Sequence, residues 1–326
     1  MRIGKVTESV LKRSVLKIIK SDSNKESAAA KSDCAYSIDE NGQKILSSVS
    51  VFTVDAENAG FYAVHNAANN IFCMGGVPFM AVISILMPPD AEEAVLKKIM
   101  KSAVSAANEI GIAIEGGHTE VSDAVTRPVI TVTVTGKESL QICNQKIKSK
   151  AGMDIVLTKW VALEGTAILA KEKTEELQKR LPDYMIRQAM DYKDLVSVEN
   201  DAKTAITAGA LYLHDVSMGG IFASLWEIAQ RAGCGMEVDL KKIPIRQETV
   251  EITNHLGVNP YQLVSGGSLL IIAPDGEAVV KALFEKGINA CIIGSTTDKN
   301  DRIIRNDDET RYLDKPGADE IVRFMV

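Results

Sequence analysis

The residues best equipped for chemistry gather in two stretches of the first half of this chain. Val51–Pro78, VFTVDAENAGFYAVHNAANNIFCMGGVP, carries Thr53 and Asp55 at the end of an apolar run, then Asn66, Asn69 and Asn70 on a helical pattern. A hydroxyl and a carboxylate at a strand end suit a ligand, and amides buried on a helix must find hydrogen-bond partners. Two readings stand side by side: a ligand site, or a core helix whose amides serve neighbouring backbone. The second stretch is Glu115-Gly116-Gly117-His118-Thr119-Glu120. Imidazole belongs with transition metals, so His118, Glu120, Asp55 and His65 are a candidate set for such an ion. The competing reading has His118 hydrogen-bonding a phosphate or a backbone carbonyl.

The second half offers weaker signals. Glu164-Gly165-Thr166 opens a helix, where backbone N–H groups either face a phosphate or are simply capped. His214-Asp215 ends a short strand ahead of Gly219-Gly220, a place where open α/β units take ligands; local pairing of the histidine is the alternative. Cys34 reads as a small packed residue rather than a nucleophile. Glu199 sits in a helix of solvated charges, and Trp160 reads as packing at the domain junction.

These residues need elements to hold them. Residues 1–20 read as an amphipathic helix with Val6, Val10, Leu11, Val15, Leu16 and Ile18 on its apolar side, followed by a polar, mobile loop over 21–32. Strands are expected at 35–38 and 45–54, with a hairpin turn at Glu40-Asn41-Gly42. The asparagine-bearing helix stops at Met74-Gly75-Gly76. A strand at 79–87, a helix at 91–110 ended by Gly111, and a strand at 112–114 closed by the Glu115–Glu120 motif come next. Val129–Thr135 alternates threonine and valine, the pattern of a half-buried strand. A Lys-rich polar segment at 144–152 sets the boundary between domains 1–148 and 149–326. Beyond it, strands are expected at 154–158, 211–215, 236–240, 268–273 and 290–293, helices from 163 with a break at Leu181-Pro182-Asp183, a helix at 221–232 and a closing helix at 318–324. The result is two α/β units of similar size.

A chain of 326 residues fits two domains. The net charge of −6, with no basic block, argues against nucleic acid as a partner. No apolar run approaches a membrane span, and charges interrupt every apolar cluster of the first twenty residues, unlike a signal peptide. The five cysteines are scattered without a CxxC pair, which argues against a disulfide framework and a thiolate zinc site and fits a reducing cytoplasm.

Seven spaced segments together resemble the aminoimidazole-ribonucleotide synthetase superfamily. They are Lys31-Ser32-Asp33-Cys34-Ala35, Thr53-Val54-Asp55, Asn69–Pro78, Gly116-Gly117-His118-Thr119, Glu164–Ala170, His214–Gly220 and Val264–Leu269. The hydrogenase-maturation HypE branch is the most similar, particularly at the Glu-Gly-Thr and His-Asp segments. The resemblance implies an α/β fold of two domains, with an N-terminal mixed sheet that pairs with a second copy into a barrel and a C-terminal α/β sandwich. It implies ATP and magnesium in a cleft walled by acidic motifs, with Asp33, Thr53, Asp55, Asn69, Asn70, Gly116, Gly117, His118 and Thr119 at the nucleotide, and Asp33, Asp55 and Asn70 on the metal. Magnesium favours one or two carboxylates plus phosphate oxygens, and phosphoryl transfer needs mostly placement and charge neutralisation.

Three positions depart from the acidic pattern. Ser32, Asn70 and His118 stand where the family has aspartates, and no cysteine follows Cys291 to match the terminal acceptor cysteine of HypE. The glycine-rich loop with a catalytic Cys or Sec that selenophosphate synthetase would need is also missing. The expectation is a cytoplasmic homodimer that binds ATP with a reduced number of magnesium ions, has a maturation partner protein, and activates an amide or carboxylate oxygen by phosphoryl transfer. The alternative is a nucleotide- or metabolite-binding protein without turnover.

Overall fold

A computed structural model describes residues 3–6, 8–22, 34–142 and 151–324. The expected mobile loop over 21–32 falls outside these residues from 23 onward. Contacts divide the chain into two compact units, Asp33–Ser139 with Val322–Val326, and Leu140–Ile321 with Met1–Ser32. The amino-terminal run consists of α1 (Glu8–Leu11), a π-helical turn (Lys12–Leu16) and α2 (Lys17–Asp22). Of its expected apolar side only Leu16 is buried; Val6, Leu11, Val15 and Ile18 are exposed. No described helix is long and apolar enough to cross a membrane.

The unit Asp33–Ser139 contains β1 (Ala35–Ile38), β2 (Lys44–Phe52), α3 (Ala59–Cys73), β3 (Gly76–Met87), α4 (Glu93–Ile110), β4 (Ala113–Val121) and β5 (Val129–Glu138). Its sheet runs β1-β2-β5-β3-β4 and is antiparallel except for the β3–β4 pair. Alternation decides which face is covered. Leu46, Ser48 and Phe52 of β2 and Ile130, Val132 and Val134 of β5 are buried, while Val49, Val51, Val77 and Phe79 on the opposite face are exposed. Small residues let the covering helices approach closely: a Cβ on Gly60 of α3 would lie 2.1 Å from the Ile99 carbonyl oxygen of α4. Gly111, at φ 78°, supplies the left-handed residue that ends α4.

Two boundaries differ from expectation, and both bear on the site. β2 ends at Phe52, so Thr53 and Asp55 lie beyond the strand. The Glu115–Glu120 segment does not close a short strand; it is the body of β4, at the sheet margin. Extended pairing with β3 continues through both glycines, because nothing in Gly-Gly-His-Thr forces a turn once a partner strand is available.

The second unit contains β6 (Asp154–Thr158), α5 (Leu163–Glu172), α6 (Thr174–Leu177), α7 (Asp183–Met190), α8 (Glu199–Thr207), β7 (Tyr212–Asp215), α9 (Gly220–Ala232), β8 (Gly235–Asp239), α10 (Gln247–Leu256), β9 (Leu269–Ala273), α11 (Gly276–Glu285), β10 (Ala290–Thr297), β11 (Arg302–Asn306) and β12 (Glu309–Tyr312). The sheet order is β12-β11-β8-β10-β6-β9-β7. β6, β7 and β9 are buried almost throughout, which explains their continuous apolar runs. The β11–β12 hairpin was not anticipated, since it carries few apolar residues and turns on Asp307 at φ 53°. The expected closing helix is a single 3-10 stretch, Glu320–Phe324.

Candidate functional site

In the first unit the asparagines find different surroundings. Asn69 is fully buried. Asn70 donates from Nδ2 to Ser48 Oγ at 2.9 Å and to the Asn66 carbonyl at 3.3 Å, which leaves Oδ1 as its ligand-capable atom. Buried Cys34 donates its thiol to the Asn70 carbonyl at 3.2 Å, so it is a packed residue at this point. Its chain neighbour Asp33, and Ser32, lie outside the described residues. Thr53 and Asp55 are exposed just ahead of α3. Asn70 comes 11 residues after Ala59, the first residue of that helix (70 − 59), about 16 Å along its axis at 1.5 Å per residue. Asp55 therefore sits near one end of α3 and Asn70 near the other, and the structure does not bring these two residues of the expected magnesium set together.

Strand order separates the other residues. Cross-strand pairing runs from Val51 to Thr131 to Ser84 to His118, three strand steps, or about 14 Å at 4.8 Å each. His118 Nε2 lies 3.2 Å from Glu120 Oε2, with both side chains well exposed. His65, by contrast, is buried on α3, its ring 4.5 Å from that of Phe61 and its Nε2 3.6 Å from Glu109 Oε2 of α4. The transition-metal set of His118, Glu120, Asp55 and His65 is thus not assembled, and no group of three or more His, Cys, Asp or Glu able to hold a metal occurs among the described residues. The two glycines of β4 have separate explanations. A Cβ on Gly117 would lie 1.8 Å from the Ile83 carbonyl oxygen, so close strand approach demands glycine there, whereas Gly116 has nothing within 4 Å. Thr119 is exposed and pairs with Ile85.

In the second unit, the Glu164-Gly165-Thr166 segment is buried, and the Gly165 and Thr166 N–H groups are already spent. Gly165 donates to the Val264 carbonyl and Thr166 to that of Ala162, both at 2.9 Å. That assigns Gly165 and Thr166 to helix packing rather than phosphate binding. His214 is only 3% exposed; its Nε2 lies 3.1 Å from Glu227 Oε2 and its Nδ1 3.4 Å from Arg231. Glu227 also takes Lys5 Nζ at 3.0 Å. Burial pushes the Glu227 carboxyl up, but the His214 hydrogen bond and the Lys5 charge outweigh it and hold it at about 2. Asp319, buried, accepts from the N–H groups of Gly219, Val264 and Ile321. Its burial nevertheless pushes the carboxyl up to about 6 against those three donors. Trp160 packs with Leu163, Ala167 and Tyr192, and the Arg246 guanidinium lies over its ring at 3.9 Å. Tyr192 hydrogen-bonds Glu248; burial and then that carboxylate push its hydroxyl pKa up. Glu199 simply starts α8, its N–H on Ser197 Oγ.

Sequence reasoning passed over Lys159, Asp201 and Asp319. The signal for the first was a charged residue directly after the buried strand β6; nothing local marks the other two.

The AIR synthase related protein N-terminal domain family matches residues 24–137, and the C-terminal domain family matches residues 150–306. This chain belongs to the AIR synthase related family. Carbamoyl dehydratase HypE of Cupriavidus necator is 28% identical over 229 residues, covering 69% of this chain; the match spans only 63% of that relative. The structure of a HypE–HypF complex shares the fold at a TM-score of 0.74 with 23% identity, covering 92% of this chain and 98% of that one. The structure of HypE with ATP does so at 0.72 with 20% identity, covering 98% and 97%. The AIR synthase related fold is therefore that of both units, as the order of the seven segments implied.

Proposed function

We propose that this member of the AIR synthase related family binds ATP and transfers its terminal phosphoryl group to an amide or carboxylate oxygen of a substrate. The observation that carries the reading is the Cys34–Asn70 hydrogen bond, which joins the end of the Lys31–Ala35 segment to the asparagine segment. Asp33, the residue before Cys34, and Asn70 Oδ1 would then hold one magnesium ion, a donor set of one carboxylate and one amide that suits an ion completed by phosphate oxygens. Magnesium would supply charge neutralisation; Asn70 would orient the phosphates, and Gly116 would let them approach β4, while the fully buried Asn69 would take no direct part. Thr53 and Asp55 would bind the nucleotide from the start of α3, and His118 and Thr119 from β4. A HypE-like chain with this reading is a cytoplasmic homodimer, and the uncovered apolar sheet face with Val49, Val51, Val77 and Phe79 is the surface for the second copy. A maturation protein is a further partner, since a HypE structure is known in complex with HypF.

A second reading, nucleotide or metabolite binding without turnover, draws on the separation of Asp55 from Asn70 and on the side-chain pairing of His118 with Glu120 in place of an acidic cluster. Calorimetric titration of ATP with and without magnesium separates the two. Magnesium-dependent binding that Asp33→Ala abolishes supports phosphoryl transfer. Binding indifferent to magnesium supports the second reading, and no ATP binding by the folded protein sinks phosphoryl transfer and leaves the second reading with a metabolite other than ATP.

A further inference from the structure

Lys159 follows β6 at φ 55°, a backbone region that disfavours a side chain with a Cβ. Something must hold it there. Its side chain is only 11% exposed, and Nζ faces four oxygens: the carbonyls of Ser197 at 2.7 Å, Gly267 at 2.9 Å and Leu195 at 3.2 Å, and Asp201 Oδ2 at 3.0 Å. Three of these are main-chain atoms whose positions are fixed from outside. Gly267, at φ 105°, abuts the preceding segment so closely that a Cβ would lie 2.5 Å from the Leu195 carbonyl oxygen. Asp201 is oriented by Thr158, whose hydroxyl donates to Oδ1 at 2.6 Å and accepts from the Leu269 N–H at 3.1 Å.

An ammonium group has three protons to share among these four oxygens, whereas a bare cation has no such limit. The distances exceed the roughly 2.0–2.1 Å that magnesium requires and the roughly 2.3–2.6 Å of calcium. One carboxylate balances one positive charge. We propose that Asp201 and the carbonyls of Leu195, Ser197 and Gly267 form a site for a monovalent cation of potassium or ammonium size, which this chain fills with the tethered ammonium of Lys159. The site joins the end of β6, the segment leading into α8 and the Val264–Ser268 turn, so the lysine keeps that junction closed whatever the ionic composition.

The test is thermal unfolding of the full chain in potassium, sodium and choline chloride at equal ionic strength. Wild type should melt at one midpoint in potassium and choline. Lys159→Gly, which suits the positive φ and vacates the site, should melt several degrees lower in choline and regain most of that loss, saturably, in potassium but not in sodium. Lys159→Met, which fills the space without a charge, should melt lower and regain nothing. A glycine variant with the same midpoint in all three salts overturns the proposal, as does a potassium gain of equal size in wild type or in Lys159→Met. A measurement on wild type covers a glycine variant that fails to fold: Lys159 should show slowly exchanging ammonium protons by NMR, assigned by their loss in Lys159→Met. Their absence from wild type overturns it too.

Discussion

Asn70 donates its side-chain amide to the hydroxyl of Ser48 at 2.9 Å, across the interface between α3 and β2. That bond orients the residue where the resembling family carries an aspartate, and a serine hydroxyl can donate as well as accept. Asn70→Asp should therefore fold, with Ser48 turning its proton toward the new carboxylate. If Asn70 belongs to the metal site, the added charge should tighten magnesium-dependent ATP binding by about tenfold, equivalent to about 1.4 kcal/mol. Calorimetric titration reads this directly, and an unchanged affinity removes Asn70 from the site.

The two glycines of β4 should respond in opposite ways. Gly117→Ala drives a methyl group into the Ile83 carbonyl and should cost about 3 kcal/mol of stability in urea unfolding. Gly116→Ala meets open space and should leave stability within about 0.5 kcal/mol of wild type. Weakened ATP binding by a stable Gly116→Ala protein would support close approach of phosphate at that position; full binding would assign Gly116 no part in it.

Asp319 predicts an unusual pH slope. Its folded pKa is raised from 3.8 to about 6, so the folded chain holds this proton where the unfolded chain has lost it. The contribution to stability is greatest below pH 4 and is lost as pH rises toward 6, by about 3 kcal/mol at most. Asp319→Asn should flatten that part of the stability profile. A profile identical to wild type between pH 4 and 6 would contradict the assignment.

Glu227 has the opposite sign. Its folded pKa is lowered from 4.5 to about 2, so its partnership with His214 and Lys5 stabilises the fold above pH 4.5 and is lost as pH falls through 2. Lys5→Ala removes one partner and should lower stability near neutrality by about 0.2–1 kcal/mol, since Lys5 is well exposed, with the difference from wild type shrinking as pH falls from 4.5 toward 2. A difference from wild type that stays the same across that range would show that Lys5 does not act through this carboxylate.

Much of the fold was legible because periodicity and punctuation survive without context. Gly111 ends α4, Pro182 precedes α7, and the apolar runs of β6 and β9 were recognisable as buried strands. The weakly apolar β11–β12 hairpin escaped because β11 owes its place to pairing with β8, and β12 to pairing with β11, rather than to a pattern of their own. The site was less legible for a similar reason. Gly-Gly suggested a turn at β4, yet one glycine is there to admit the neighbouring carbonyl of β3. Lys159 looked like an ordinary charged residue after a strand, and only the fold surrounds it with oxygens.

By itself the sequence determined most of the element types and, through the order of seven segments, the family. Those depend on local pattern and on order along the chain. Only the tertiary structure decided which residues meet. Asn70 reaches Ser48 because α3 packs on β2, while His118 stands three strand steps from β2 because β5 and β3 intervene. Contacts between elements are set by register, strand order and how closely backbones approach. None of these is carried by the spacing of residues along the chain.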